Sequence, residues 1–539
     1  MILRKIRIIA LCVAVALLLS GCGSLLTALT DMYWGGNVVK FADMEYSRPD
    51  LQELETALQK SCDMAVNGEN VQQVVDSIYE FYDVYDRFYT SYSLAQIHYY
   101  CDTTDIYWEE EYNYCLENGN AGDAALEQLY YALAASPYRQ ELEAEAYFGA
   151  GFFDAYEGES VWDDTYLSLL EQESQLLNRY YEITEEAAQT EYYSEEFFVQ
   201  YGSQLAELFV ELVALRQQIA DYAGYDSYVQ YAYDLQHYRD YSPEQVQTYL
   251  QTVADTMADL YCRVNQSDIW EQTYEICSET QMYRHVKTAA ENMGGYTKDA
   301  FSLLERGQLY DIAFRENKLY SSFELYLLRY YEPFIFVCPT MSQDDKLTFA
   351  HEFGHFANDY VCGGSLAGTD VAEVHSQALE YLSLLYGEGT KSLETYKLAD
   401  SLCIFVEQSA YALFEQQVYD LKGDALTAEN VQALYADICT EFGFDSVDWD
   451  SRGYVCIEHF FTSPLYIVSY VVSNDVAFQI YQMEKETVGT GLAVYNRCLE
   501  SQDSYLLQFT ETYGLESPFA DGRLETVRDT LQQGLSNYL

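Results

Sequence analysis

Proline is scarce, with seven in 539 residues, and so is positive charge: 28 lysines and arginines stand against 87 acids, a formal net charge of −59. A chain this poor in proline does not read as a many-turned β-sandwich, and long helices are expected instead. A field this negative repels a phosphate backbone, which argues against a broad nucleic-acid-binding surface. Thirteen cysteines include no Cys-x-x-Cys pair, so a cysteine-ligated zinc knuckle or a thioredoxin-like site is not expected. Also missing is any apolar run of the roughly 18–20 residues that span a bilayer. What is present is an ordinary 49% of hydrophobic residues, enough for a folded body, and 55 tyrosines. Tyrosine rings fill a core while leaving a hydroxyl for a polar partner, so most of them read as packing residues.

The chain opens with Arg4, Lys5 and Arg7, an apolar run from Ile8 to Leu19, then Ser20-Gly21-Cys22. A basic patch, a short apolar core and a small-residue site have the layout of a secretory signal. The cysteine that follows resembles a bacterial lipoprotein signal. On that reading residues 1–21 are removed, Cys22 is lipidated and residues 22–49 form a tether. The body is then held at the outer face of the bacterial cell membrane. An acidic body is repelled by an anionic bilayer, which leaves the lipid as the main attachment. Beyond Cys22 eleven cysteines remain, an odd number, so at least one thiol stays unpaired unless it bonds another chain. Some disulfides are compatible with this location.

From about Asp50 the pattern is helix after helix. Leu51, Leu54, Leu58 and Cys62 recur at helical spacing, as do Val71, Val74, Val75, Ile78 and Phe81. An N-terminal helical region over 50–195 and a second region over 196–539 are expected. One stretch departs from this pattern. Phe334-Ile-Phe-Val-Cys338, boxed by Pro333 and Pro339, predicts a strand, placed near a sheet edge because proline is tolerated there. The expected fold is mainly α with a small β element just ahead of the residues that carry chemistry.

Those residues begin at His351-Glu-Phe-Gly-His355. The flanks contain no proline, and Asp344 and Asp345 suit a helix first turn. On such a helix His351 and His355 project from one face, as two ligands of one zinc ion must. Glu352 lies beside them, placed to take a proton from an activated water. A third histidine at the spacing of the longer zinc motifs is absent, because position 358 is Asn and 361 is Val. A carboxylate on a following helix is the alternative. Glu373 and Glu380 lie two turns apart on nearly one face of a helix beginning at Asp370. The glycine-rich loop 362–369 would let that helix fold back. Glu373 is taken as the third ligand and Glu380 as the group behind the first. His375 faces elsewhere and is a weaker alternative ligand.

His351-Glu-Phe-Gly-His355 followed by Glu373-Val-His-Ser-Gln-Ala-Leu-Glu380 resembles the thimet oligopeptidase and oligoendopeptidase F family of zinc metallopeptidases. Leu309-Tyr-Asp311, Ser321 to Tyr326 and Pro333 to Val337 resemble the stretch leading into that family's strand. Glu458-His459 through Tyr466 to Tyr470 resembles its His-and-Tyr substrate motif. The resemblance runs from about residue 200 to the C-terminus; the N-terminal helices match only in character. It departs at Asn358, where many members carry histidine, and at Cys338-Pro339.

The resemblance implies a prolate helical metallopeptidase with a deep channel that admits short oligopeptides. It implies one zinc ion on His351, His355 and Glu373, with Glu352 as general base and Tyr466 as oxyanion donor. His459 would support the substrate or the oxyanion. Tyr470, Phe334 and Phe336 would lie against the substrate, which would add alongside the strand 334–337. Two other readings are a related zinc carboxypeptidase or dipeptidase and a peptide-capturing lipoprotein with lost turnover.

Overall fold

The computed structural model describes residues 38–539 except 145–146, 150, 157–162, 188–189 and 366. The signal segment with Cys22, and the tether up to residue 37, lie outside the described residues.

Three long helices open the described chain: α1 (Leu51–Asn67), α2 (Val71–Cys101) and α3 (Ile106–Ala134). Each starts where a short polar side chain satisfies free backbone N–H groups. Asp50 accepts from Gln52 and Glu53, Asn70 from Gln73, and Asp105 from Tyr107 and Trp108. The expected apolar stripes bury against one another: Leu54, Val74, Val75, Ile78 and Phe81 form a small core with Leu129, Leu133 and Phe153. The rest of the chain shares a second, much larger core. Helix Asp164–Ala187, assigned with the N-terminal region by its sequence, packs instead against helix Ser203–Tyr222 and contributes Tyr166 and Tyr180 to the larger core. No helix among the described residues is long and apolar enough to cross a membrane.

A three-stranded sheet interrupts the helices, with β1 (Tyr310–Asp311), β2 (Ser322–Leu327) and β3 (Glu332–Val337) in the order β1–β3–β2. The predicted strand is β3, but it is central, and this corrects the expected edge position. It runs parallel to β1 (Tyr310 opposite Ile335) and antiparallel to β2 (Leu325 opposite Phe334). Pro333 is accommodated because β1 is two residues long and reaches only Ile335 and Phe336.

The same arrangement corrects the expectation for Phe334 and Phe336. Both are fully buried. Phe334 packs on Phe41 with ring centroids 4.2 Å apart, and Phe336 stacks on Phe323 at 4.9 Å with Lys318 Nζ 4.2 Å over its ring. They are core residues, and β3 has a strand on each side. The outer strands are β1 and β2, of which β2 is the longer with six residues against two.

β3 leads into α4 (Asp345–Cys362), which returns through the glycine-rich loop into α5 (Thr369–Tyr386). α4 packs on β2, β3 and α5. Behind α5 lie α6 (Lys391–Cys403) and α7 (Val468–Glu486). All eleven described cysteines are free thiols, so the disulfides allowed by the sequence are not formed among the described residues.

Candidate metal centre

His351, Glu352 and His355 are the seventh, eighth and eleventh residues of α4, and Glu373 is the fifth of α5. The two helices fold back on each other as the spacing predicts. His351 Nε2 faces His355 Nε2 at 3.3 Å and Glu373 Oε2 at 3.3 Å. All three donor atoms lie within 4.8 Å of one another. Four ligands at about 2.0–2.1 Å around a tetrahedral zinc ion lie roughly 3.3–3.4 Å apart along the edges. Both distances from His351 match that edge, and two imidazoles with a carboxylate are donors that suit one zinc ion. Both imidazoles are only partly buried, so the trio is reachable from solvent, while Glu373 behind them is buried.

The groups around the trio fix its orientation. His351 Nδ1 donates to Glu380 Oε1 at 2.8 Å. That bond leaves the Nε2 lone pair for a cation, the arrangement that orients metal-binding histidines generally. Glu380 is held in turn by the buried Lys397, whose Nζ lies 2.6 Å from Oε2 and 3.0 Å from Asp400. On the other side Glu373 accepts from Ser376 Oγ at 3.1 Å and from the Tyr466 hydroxyl at 2.6 Å. Glu380 lies behind His351, hydrogen-bonded to its Nδ1. Lys397 was missed by the sequence reading. Its only signal is its place one turn from Leu393 and Ser401, on the buried face of α6.

Electrostatics separate the carboxylates by role. Burial pushes the Glu352 carboxyl up to about 7, with Glu373 adding to the shift and His351 opposing it. Burial also disfavours the Glu373 anion, but His351, His355 and the Tyr466 hydroxyl more than reverse it and hold that carboxyl at about 2. For Glu380 burial is likewise outweighed, by Lys397 and His351, so it sits below the ordinary range. Desolvation works against a His351 cation, but Glu373 and Glu380 beside it pull a proton onto the ring and raise it well above the usual imidazole value. A dication held by the same donors would take over that proton's electrostatic role. Burial lowers His355 to about 4, keeping it neutral and able to ligate.

The remaining candidates fall on both sides of the expectation. Tyr466, Tyr470 and His459 come together: their ring centroids lie 5.3–5.7 Å apart, and His459 Nε2 shares a 3.2 Å hydrogen bond with the Tyr470 hydroxyl. Tyr466 joins Glu373 directly, a contact no spacing rule predicted. His375 is fully buried against Phe509, with neither ring nitrogen hydrogen-bonded, and does not join the trio. Asn358 is structural: its Nδ2 donates to the Leu499 carbonyl at 3.2 Å and ties α4 to the segment near residue 500.

Lys397→Met should preserve the volume of that buried position while stripping Glu380 of its cation. Glu380 would then favour its neutral form and hold His351 less firmly. The expected result is a zinc affinity weaker by about 10- to 100-fold, read by competition with a chromogenic chelator. An unchanged affinity would mean that Lys397 serves only the packing of α6.

Residues 41–159 match the family model described as the Peptidase M3 N-terminal domain. No curated protein matches the chain. Among solved structures, PZ peptidase A in complex with an inhibitor superposes with a TM-score of 0.81 at 19% identity, over 92% of this chain and 99% of that one. A protein described as an oligoendopeptidase F gives 0.81 at 20% identity, over 92% and 99%. An oligoendopeptidase F of Bacillus anthracis gives 0.78 at 20%, over 93% and 99%. At these identities the likeness carries the fold alone, which is mainly α as expected. The resemblance drawn from the motifs of the second half is joined by the family match in the N-terminal helices, where single-sequence reading found similarity only in character.

Proposed function

We propose that this chain is a zinc-dependent endopeptidase that hydrolyses short oligopeptides. The observation that carries this reading is the convergence of His351, His355 and Glu373, with two of the three donor pairs 3.3 Å apart and all within 4.8 Å, beside the buried Glu352 on the same helix as the histidines. Zinc bound there would act as a Lewis acid toward the scissile carbonyl and lower the pKa of the attacking water. Glu352, poised near neutrality, accepts the proton that this water loses and returns it to the leaving amine. Tyr466 and Tyr470 carry hydroxyls that stay protonated far above neutral pH, because burial and the neighbouring carboxylates disfavour their anions. In its ground state Tyr466 donates to Glu373; turning that hydroxyl toward the carbonyl oxygen supplies the neutral donor the oxyanion needs. His459 holds the Tyr470 hydroxyl beside it.

Strand addition moves from β3 to β2. Ser322–Leu327 is the longer outer strand and packs against α4, so a substrate backbone laid along β2 runs beside the metal helix. A carboxypeptidase would need a free cation near the site to grip a terminal carboxylate. Among the described residues the nearby Lys397 and Arg239 are both buried; Lys397 is paired with Glu380, and Arg239 donates to Leu465 and Ser469. Retention at the membrane through a lipid on Cys22 belongs to the same proposal, and so does the deep channel.

A mixed peptide library with free and amidated C-termini tests the reading. The expected result is internal cleavage indifferent to amidation, lost on chelation and restored by one equivalent of zinc. Cleavage confined to free C-termini would favour a carboxypeptidase. Stoichiometric zinc with no cleavage would favour peptide capture.

A further inference from the structure

Tyr466 sits in the short loop between helix Glu458–Thr462 and α7, directly after Leu465, whose backbone is left-handed at φ +62°. A branched residue in that region is strained and persists only where its surroundings hold it. Here they do so from three directions. The His237 Nε2–H donates to the Pro464 carbonyl at 2.9 Å, Arg239 Nη2 donates to the Leu465 carbonyl at 2.9 Å, and the Leu465 N–H donates to Glu415 Oε1 at 2.7 Å. All three side chains are buried. His237 and Arg239 flank Tyr238, itself left-handed at φ +52°, and grip two consecutive carbonyls.

Arg239 also donates to Ser469 Oγ at 2.9 Å, and Ser469 donates to Asp370 Oδ1 at 2.6 Å, three residues ahead of Glu373. The loop and the start of the ligand helix are thus tied together twice, at Ser469–Asp370 and at Tyr466–Glu373. A buried arginine that donates to a backbone carbonyl and a serine is an expensive way to stabilise a core, since hydrophobic residues of similar volume serve stability as well. Its directional hydrogen bonds fix position instead.

We infer that His237, Arg239 and Glu415 are positioning residues, which hold Leu465 left-handed and so set where the Tyr466 hydroxyl lies relative to Glu373 and the substrate carbonyl. The inference rests on the role proposed above for Tyr466. Displacements of about 1 Å at a reacting group are enough to cost up to about 100-fold in rate. A clamp of this kind therefore acts on turnover rather than on substrate affinity.

The test uses the full chain with His237→Leu, which removes the donor, and His237→Gln, which keeps an N–H at nearly the Nε2 position. Amide hydrogen exchange, measured without added metal, should speed up about 10-fold or more at Leu465 and Tyr466 in the Leu variant while the interior of α7 stays protected. The Gln variant should resemble wild type. On an oligopeptide substrate, kcat of the Leu variant should fall about 10-fold with KM within about twofold, and the effect should nearly vanish in a Tyr466→Phe background. Uniformly faster exchange along α7, or an undiminished effect beside Tyr466→Phe, would reduce His237 to a packing residue and overturn the inference. If Tyr466→Phe alone leaves kcat unchanged, it is the proposed role of Tyr466 that fails, and the exchange data still decide whether the clamp holds the loop. Should His237→Leu not fold, Arg239→Lys, which keeps the charge but loses the planar grip on Leu465, carries the same exchange measurement.

Discussion

Glu352→Gln should lower kcat on a cleaved oligopeptide by about 10³- to 10⁴-fold while leaving one zinc ion bound. Glutamine keeps the shape and hydrogen-bonding reach of the side chain but cannot accept a proton. Glu352 is not one of the three converging donors, so metal content should hold; the two measurements together separate the base from the ligands. The sign of the pH dependence follows from the same group. Its carboxyl is pushed up to about 7 by burial, with Glu373 adding and His351 opposing, and it works as a base only when ionised. Wild-type activity should therefore rise as pH climbs through neutrality, and the residual activity of the variant should lose that acid limb. A Gln variant that cuts as fast as wild type would remove Glu352 from the mechanism.

Gly354→Ala should destabilise the protein by about 3 kcal/mol or more and empty the metal site, although alanine is the better helix former. In an unencumbered helix the same change stabilises by roughly 0.5–1 kcal/mol, so even the sign is informative. Gly354 lies between the two histidines, where the backbones of α4 and α5 approach closely. A Cβ there would stand 2.5 Å from Ser376 Cα, 2.6 Å from the His375 carbonyl oxygen and 2.9 Å from Ser376 N. These are backbone atoms of the helix that carries Glu373, and no side chain can swing aside to make room. Relief requires the helices to part, which draws Glu373 away from His351 and His355. Chemical denaturation and zinc stoichiometry measure the two effects. A variant with wild-type stability and full zinc content would show that the glycine serves something other than this contact.

The glycine illustrates where legibility ended. Its place in His-Glu-Phe-Gly-His was plain in the sequence, and so was the common face of His351 and His355, because helical geometry fixes which residues i and i+4 share a side. The same periodicity placed Glu373 and Glu380 together, and the flexible loop between made their return to the first helix reasonable. Of the N-terminal helix starts, the one near Asp50 was legible, while the caps at Asn70 and Asp105 emerged with the structure. The run boxed by Pro333 and Pro339 was legible as a strand, yet its neighbours were not. Its prolines made β3 read as an edge, the resemblance then laid Phe334 and Phe336 against the substrate, and a two-residue partner such as β1 left no periodic trace to correct either.

What the sequence by itself determined, then, is everything written within one turn or one strand: the α-rich architecture, the histidine pair with its glutamate, and the two acids that follow. Tertiary structure alone decided that β3 lies in the middle of its sheet and that Lys397 stands behind Glu380. It also decided that the Tyr466 hydroxyl rests on Glu373, and that His237, Arg239 and Glu415 converge on one left-handed loop. Local pattern is set by the geometry of a single chain segment. Contacts such as Arg239 with Leu465 join residues 226 apart, and their closure depends on the packing of the whole body, for which a short stretch of sequence carries no mark.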